Sequence, residues 1–209
     1  MSSKPAPYDQ RLARWLVRPL ARTPVTPNQL TSVTLLLALG GAAGLATGER
    51  GGQDLGAGLF VLARFMDHFD GELARLKGAS SRFGYYYDYV AGALSYAALF
   101  AGIGIGLRDG ALGAWALALG AAGSTAALLS MFANLGIDRE QGGDESGEAV
   151  GYPGLAGFEL EDGIYLIAPI TWLGGLGPFF VAAGIGASVY CAWTFWSWWR
   201  LRRAAARAT

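Results

Sequence analysis

Three aspartates stand where the sequence is otherwise apolar. Asp67 and Asp70 are three residues apart, and Asp88 follows in the next apolar run. Residues three or four positions apart share one face of an α-helix, so the carboxylates of Asp67 and Asp70 are expected to point the same way. An ionised side chain inside a membrane costs several kcal/mol unless it is paired or bound to a metal. The three aspartates therefore indicate a functional site.

The segment between the two carboxylate-bearing runs, from Arg75 to Phe83, is short and favours antiparallel neighbouring helices. Asp88 is then expected to approach Asp67 and Asp70. Three converging carboxylates repel one another unless a cation lies among them. Oxygen ligands select Mg²⁺ or Mn²⁺, and Mg²⁺ commonly shares its coordination with substrate phosphates. We predict a metal site for a phosphorylated substrate.

Small residues accompany the first two aspartates. Gly71 and Ala74 share their helix face, and Arg75 lies one turn beyond Gly71. Small side chains there would let a nucleotide lie close to the helix backbone. The alternative is that Gly71 and Ala74 only allow two helices to pack closely.

The composition indicates that these helices lie in a membrane. Hydrophobic residues make up 53% of the 209 residues and charged residues only 15%, with 32 glycines. A spanning helix needs about 20 apolar residues. Six runs of that order occur, at residues 29–47, 54–75, 83–107, 111–135, 162–177 and 178–200. We predict an all-α, polytopic integral membrane protein, folded as a six-transmembrane-helix bundle.

We expect one domain over residues 1–209. It would comprise a cytoplasmic or interfacial segment at 1–27, six spans within 28–200 and a basic cytoplasmic tail at 201–209. Apolar and basic residues alternate from Tyr8 to Leu20, which predicts an N-terminal amphipathic helix in the headgroup layer. The alternative is a basic lid over an anionic substrate.

The orientation follows from the basic residues, because Lys and Arg near span ends stay in the cytoplasm. With six spans, only Arg50 and Arg108 lie on the far side. The cytoplasmic side holds Lys4, Arg11, Arg14, Arg18, Arg22, Arg75, Lys77, Arg82, Arg139, Arg200, Arg202, Arg203 and Arg207. We therefore expect both termini and the aspartate site to face the cytoplasm, with the protein in the cell's inner membrane.

The spacing of these residues matches a known signature, D-x2-D-G-x2-A-R-x8-G-x3-D-x3-D. Seven of its eight fixed positions are present, as Asp67, Asp70, Gly71, Ala74, Arg75, Gly84 and Asp88. The chain thereby resembles the CDP-alcohol phosphotransferases, also called CDP-alcohol phosphatidyltransferases. The signature covers residues 67–92, and the six-span layout adds to the likeness.

The resemblance implies a reaction and a site. Family members are helical bundles, usually homodimers, that transfer a phosphatidyl-type group from a CDP-linked lipid such as CDP-diacylglycerol to an alcohol acceptor and release CMP. The implied cofactors are two Mg²⁺ or Mn²⁺ ions. Asp67, Asp70 and Asp88 would bind the metal, and the CDP moiety would lie against Gly71, Ala74, Arg75 and Gly84.

The sequence departs from the signature at its last position, where Gly92 replaces an aspartate. In the family that aspartate helps to hold metal and acts as the general base. Loss of a positioned base typically costs about a hundredfold to ten-thousandfold in rate. Four explanations are open: an impaired relative that binds CDP-lipid and metal without efficient turnover, a different base, a deliberate substitution, or an acceptor that supplies its own base. His68 is a weak candidate base, because it lies about 100° around the helix from Asp67.

Several other polar groups receive structural interpretations. The tyrosines Tyr85, Tyr86, Tyr87 and Tyr89 are expected to anchor the membrane interface. Arg64, one turn before Asp67, is expected to neutralise the acidic cluster. The acidic stretch from Asp138 to Asp162 is expected to be a solvated loop rather than a second metal site.

The acceptor is less well defined by the sequence. Between Phe83 and Trp199 the only basic residues are Arg108 and Arg139, which favours an unphosphorylated alcohol, although Arg82, Arg139 and Arg200 could converge on a phosphate. A transporter is the more distant alternative, because intramembrane charges also mark transport pathways. We find no nucleic-acid-binding motif.

Overall fold

The computed structural model describes residues 8–141 and 160–208, and these ranges contain α-helices and 3₁₀ helices without a β-strand. The α-helices are α1 (Tyr8–Val17), α2 (Pro27–Ala46), α3 (Arg50–Lys77), α4 (Arg82–Gly106), α5 (Ala114–Glu140), α6 (Ile167–Trp172) and α7 (Leu176–Ala208). Two 3₁₀ helices, Arg18–Arg22 and Leu160–Leu166, follow α1 and precede α6. The predicted all-α class is confirmed.

Within the residues that the structure describes, four helices are long and apolar enough to cross a membrane, namely Pro27–Ala46, Arg82–Gly106, Ala114–Glu140 and Leu176–Ala206. α3 has 28 residues but carries the charged residues of the candidate site. The fifth predicted span, at 162–177, forms a 3₁₀ helix and the six-residue α6, each too short to cross about 30 Å of hydrocarbon alone. An integral membrane fold is thus confirmed, whereas the count of six spans stays a prediction.

Local sequence signals set the ends of the helices that carry the site. α2 begins with a reciprocal cap in which Thr26 and Gln29 each accept a hydrogen bond from the other's backbone N–H. α3 ends at Gly78, whose positive φ of 59° is a conformation that glycine adopts without strain. α4 then starts after Ser81, whose hydroxyl accepts from the backbone N–H of Gly84. The turn that joins the two aspartate-bearing helices is therefore well defined.

Glycine brings α2 and α3 into close contact. A Cβ atom added at Gly41 would lie 2.8 Å from the backbone oxygen of Gly56 and 3.0 Å from the backbone nitrogen of Phe60. Helices in lipid are not driven together by the hydrophobic effect, and close backbone approach at small residues stabilises their packing instead. The apolar core continues from here through buried Phe60, Leu99 and Phe180 of α3, α4 and α7.

α1 packs at the end of the bundle where α3 terminates. Val17 is buried in a cluster with Leu30 of α2 and Leu73 of α3. Leu12 and Trp15 remain exposed on the outer surface. A helix is therefore present where the amphipathic segment was expected, although it changes to 3₁₀ geometry after Val17, and its place in the headgroup layer stays a prediction.

The predicted charge asymmetry corresponds to two ends of the molecule. Arg202 of α7 lies 3.8 Å from Glu140 at the end of α5, which places the carboxyl ends of α5 and α7 together. Arg50 lies at the opposite end, where it donates to Asp54 at 2.8 Å and to the carbonyl oxygen of Trp172. The cytoplasmic orientation of the end that carries Arg202 stays a prediction.

Candidate active site

Asp70 is the buried carboxylate of the site. It lies in the last turns of α3, and each of its oxygens has a donor. The Thr31 hydroxyl of α2 donates to Oδ2, and the backbone N–H of Gly71 donates to Oδ1 at 2.6 Å. These contacts hold the carboxylate in one orientation between α2 and α3.

Asp67 lies one turn earlier and is paired with a cation of its own helix. Its Oδ2 is 3.1 Å from the guanidinium of Arg64, a buried residue with 8% of its surface exposed. The guanidinium also lies over the Tyr96 ring of α4, 5.0 Å from the ring centroid. The expectation that Arg64 neutralises the acidic cluster is thus met by a direct ion pair.

Asp88 and Gly92 occupy neighbouring turns of α4. Asp88 is exposed. A Cβ atom added at Gly92 would meet nothing within 4 Å. The position where the signature has an aspartate is therefore open and would admit a larger side chain.

The arrangement around Gly84 is tighter. A Cβ atom there would lie 3.1 Å from both the Asn28 side-chain oxygen of α2 and the Ser81 hydroxyl. Gly84 is thus a point of close approach between the start of α4 and α2, as expected for a small residue in this position.

Three metal ligands are not gathered in the part of the chain that the structure describes. There, no three His, Cys, Asp or Glu side chains form a group that could hold an ion. Asp67 and Asp70 share a face of α3, and Asp88 is on α4. All three offer oxygen, the donor type that hard divalent cations prefer, and the orientation of Asp70 is fixed by its two donors. The donor chemistry fits Mg²⁺ or Mn²⁺, whereas the convergence of all three stays a prediction.

Arg75 takes part in an ion-pair network with Glu72 and Arg14 that the sequence did not predict. Its Nη2 donates to Glu72 Oε1 at 2.9 Å, and Arg14 of α1 donates to Glu72 Oε2 at 2.9 Å. The Glu72 side chain is only 4% exposed. Its partner Arg14 lies 58 residues away in the sequence, and no local pattern connects the two residues.

The guanidinium of Arg75 also lies beside the backbone of the signature glycine. A Cβ atom added at Gly71 would be 3.7 Å from both terminal nitrogens of Arg75. The Arg75 side chain is 45% exposed, so its charge remains accessible to a ligand. Gly71 and Ala74 are partly buried beside it.

One expectation about the polar residues was wrong. Asp138 lies in α5 with 3% exposure rather than in a solvated loop. It accepts hydrogen bonds from Tyr85 at 2.9 Å and from Tyr89. Those two tyrosines bind a buried carboxylate because α4 and α5 pack against each other here, and the expected role of the tyrosines at the membrane interface stays a prediction. The acidic residues Asp144, Glu145, Glu148 and Glu159 lie outside the described residues.

Two arginines surround one tyrosine at the start of α4. Arg139 Nη2 donates to the Tyr86 hydroxyl at 3.0 Å. The guanidinium carbons of Arg82 and Arg139 lie 5.9 and 5.8 Å from the Tyr86 ring centroid. Positive charge is therefore concentrated around Tyr86 at the start of α4.

His68 points to another part of the bundle. Its Nε2 lies 3.5 Å from the Tyr165 hydroxyl of the second 3₁₀ helix. This contact supports a packing role for His68 over the role of substitute base.

Comparison with known proteins places this site in a family. The sequence model of the CDP-alcohol phosphatidyltransferases matches residues 24–141, more than half of the chain. An archaetidylinositol phosphate synthase of Pyrococcus horikoshii is 34% identical over 108 residues, which are 51% of this chain and 55% of that protein. The chain thus spans about half the length of this curated relative.

Solved structures share the fold. A Mycobacterium tuberculosis phosphatidylinositol phosphate synthase with CDP-DAG bound has a TM-score of 0.59 at 19% identity, over 90% of this chain and 94% of that one. A structure of the same enzyme with manganese and citrate has a TM-score of 0.59 at 18% identity, over 90% and 88% of the two chains. These similarities extend the likeness beyond the signature to nearly the whole helical bundle.

The signature residues therefore lie on α3 and α4, within the matched residues 24–141. The chain belongs to the CDP-alcohol phosphatidyltransferase family.

Proposed function

We propose that the protein transfers a phosphatidyl-type group from a CDP-linked lipid, such as CDP-diacylglycerol, to an alcohol acceptor and releases CMP. The observation that carries this proposal is the placement of the signature on two joined helices, with Asp70 buried and oriented by Thr31. The fold shared with an enzyme that has CDP-DAG bound supports the same donor.

The signature residues would bind different parts of the substrate and its metal. Asp67, Asp70 and Asp88 hold the divalent metal. When bound, the metal neutralises the diphosphate of the donor and favours departure of CMP. Arg75 offers its exposed guanidinium to the CDP moiety, next to the small residues Gly71 and Ala74.

The reaction forms one bond and breaks another. The acceptor oxygen bonds to the lipid-linked phosphorus, the bond from that phosphorus to the CMP oxygen breaks, and the hydroxyl proton must leave. The signature assigns this proton to an aspartate at position 92, where this chain has Gly92. The second candidate function is therefore an impaired relative that binds CDP-lipid and metal without efficient turnover.

We infer that the acceptor is a phosphorylated polyol. Arg82 and Arg139 both lie against Tyr86 of α4, the helix that also carries Asp88, and guanidinium groups bind phosphate well. The curated relative is named for a product that carries inositol phosphate. This inference reverses the expectation of an unphosphorylated alcohol, which rested on the small number of basic residues and not on their grouping.

The topology is also a proposal. The Tyr165 hydroxyl lies 3.5 Å from Nε2 of His68, in the second half of α3. The Trp172 indole donates to the backbone oxygen of Asp54, near the start of α3, at 3.0 Å. The segment from Tyr165 to Trp172 thus runs along much of α3, which supports six crossings of an inner membrane with both termini cytoplasmic. A homodimer is retained as a proposal that cross-linking in membranes would test.

The deciding experiment measures CMP release by the purified protein in lipid or detergent. It uses CDP-diacylglycerol, Mg²⁺ or Mn²⁺, and an acceptor panel of inositol phosphate, glycerol phosphate and their unphosphorylated alcohols. Metal-dependent release with one phosphorylated acceptor is expected. Release with only an unphosphorylated alcohol would reject the acceptor inference and leave the transferase function intact.

Two variants separate the candidate functions. Gly92→Asp has room for its side chain and is expected to raise the rate by about a hundredfold to ten-thousandfold if a base is missing. Asp70→Asn is the inactive control. A silent original chain with an active Gly92→Asp variant would identify an impaired relative, and silence from both would reject the transferase function for these substrates.

A further inference from the structure

The carboxyl-terminal part of α7 carries three arginines that stack on tryptophans. Each guanidinium carbon lies over the indole one turn earlier, and the distances to the ring centroids are 4.8 Å for Arg200 over Trp196, 5.6 Å for Arg202 over Trp198 and 3.8 Å for Arg203 over Trp199. A cation is attracted to the electron-rich face of an indole ring. The three guanidinium groups are therefore held close to the helix surface.

One of the three pairs faces the bundle. The Trp198 ring packs against Gly136 of α5, where an added Cβ atom would clash with the indole. Arg202 lies 3.8 Å from Glu140, at the end of α5. This side of α7 is thus covered by α5, and the charge of Arg202 is balanced by a carboxylate.

The other two pairs lie on the opposite side of α7. Their residues are three or four positions apart and share one helix face, the Trp–Arg surface, formed by Trp196, Trp199, Arg200 and Arg203. The two tryptophans are 51% and 48% exposed, and both arginines are exposed. Among the residues that the structure describes, no carboxylate forms an ion pair with either arginine. Two positive charges therefore point outward beside two indole rings.

Exposed apolar side chains continue this face toward the middle of α7. Ile185, Val189 and Trp193 follow the same helical spacing and are 56%, 63% and 44% exposed. With 33 residues, α7 is about 50 Å long and exceeds the roughly 30 Å of hydrocarbon in a bilayer. Along its outer face, aliphatic residues are followed by aromatic and then by basic ones. Acyl chains, interface and headgroups follow one another in the same order along a lipid.

The chemistry of the face favours a lipid with net negative charge. A guanidinium that stacks on a ring keeps its in-plane N–H groups free, and these groups match phosphate oxygens. A zwitterionic lipid offsets its phosphate with its own cation, whereas anionic lipids attract basic residues at the membrane surface. A soluble acidic partner would match the arginines but not the apolar residues from Ile185 to Trp193.

We propose that the Trp–Arg surface binds the headgroups of anionic phospholipids in the surrounding leaflet, with their acyl chains along Ile185, Val189 and Trp193. None of its four residues belongs to the signature, so the proposal does not depend on the transferase function.

Native mass spectrometry of the purified full chain in detergent tests this surface. The chain is titrated with phosphatidylglycerol or with phosphatidylcholine of identical acyl chains. Arg203→Gln is expected to weaken phosphatidylglycerol binding by about fivefold, and Arg200→Gln combined with Arg203→Gln by about 25-fold. Phosphatidylcholine binding should be the same in all variants.

Arg202→Gln is the matched control, because it removes the same charge from the adjacent residue on the inward face. It should weaken phosphatidylglycerol binding by less than about twofold, since Arg202 is already paired with Glu140. Arg200→Lys combined with Arg203→Lys keeps the charge without the planar guanidinium. Its affinity for phosphatidylglycerol should lie between those of the original chain and the double glutamine variant.

Three results would overturn the proposal. Equal weakening by Arg202→Gln and Arg203→Gln would show that only the total charge matters. Unchanged phosphatidylglycerol binding in the double glutamine variant would show that the lipid binds elsewhere. A dimer that this double variant dissociates would make the face an interface between two copies of the chain.

Discussion

The Asp70 carboxylate is stable inside the helical bundle because each of its oxygens accepts a hydrogen bond. The Thr31 hydroxyl reaches it from α2, and the backbone N–H of Gly71 reaches it from within α3. A buried carboxylate without such donors would carry a desolvation cost of several kcal/mol. Thr31 is thus a residue of the site that the signature does not include.

Thr31→Val should lower the free energy of unfolding by about 1–3 kcal/mol, because it removes the hydroxyl and preserves the shape. Thr34→Val is the matched control. Thr34 lies one turn later and is buried, and its hydroxyl has no hydrogen-bond partner within the described part of the chain. The control should be neutral or slightly stabilising. Thermal unfolding in detergent measures both, and equal effects would contradict the role of Thr31.

At the scale of elements, α1 is attached to the bundle by one buried carboxylate. Arg14 donates twice to Glu72, at 2.9 and 3.3 Å, and Val17 is buried nearby. The hydrogen bond and the charge of Glu72 raise the pKa of Arg14, so the ion pair persists at all physiological pH values. Glu72 also binds Arg75. The position of α1 and the orientation of the Arg75 side chain therefore both depend on Glu72.

Glu72→Gln is expected to loosen α1, because a neutral amide holds two guanidinium groups less well. Amide hydrogen exchange across Tyr8–Val17 should accelerate about tenfold or more, and the KM for the CDP-lipid should rise while kcat changes little. Asp109→Asn, which breaks an exposed pair with Arg108 at 3.2 Å, should change neither measurement. Unchanged exchange in Glu72→Gln would show that apolar contacts alone hold α1.

The contact between α2 and α3 is set by glycine. Gly41→Ala should destabilise the protein by about 1–3 kcal/mol, since its Cβ would press on the backbone of Gly56 and Phe60. Gly40→Ala, at the preceding residue, meets nothing within 4 Å and should be neutral or stabilising by up to about 1 kcal/mol. Thermal unfolding compares the pair, and a larger loss at position 40 would contradict this packing.

At the scale of the whole molecule, basic side chains are collected at the end that carries the site. Arg14, Arg75, Arg82, Arg139 and Arg202 lie there, whereas Arg50 and Arg108 lie at the other end. Positive side chains resist transfer across the membrane. The site is therefore expected on the cytoplasmic side, where soluble phosphorylated acceptors are available.

Single-cysteine labelling tests this orientation. In a Cys191→Ser background, Asp109→Cys should react with a membrane-impermeant maleimide in right-side-out vesicles. Ala79→Cys, in the exposed turn between α3 and α4, should react only after permeabilisation. The opposite pattern would place the site outside.

The sequence by itself determined the features that depend on neighbouring residues. Helical periodicity placed Asp67 and Asp70 on one face, and the apolar runs at α2, α4, α5 and α7 predicted their helices. The spacing of the residues from Asp67 to Asp88 was enough to indicate the family. These features follow from local geometry, because a helix fixes which nearby side chains share a face.

Only the tertiary structure decided the partners of the charged groups. It showed that Thr31 binds Asp70, that Arg14 binds Glu72, and that Asp138 is buried beneath two tyrosines. It also showed that residues 162–177 do not form one long helix. Each of the three side-chain contacts joins two different helices. Which helix surfaces meet depends on how closely glycine lets the helix backbones approach, and no local sequence pattern specifies this.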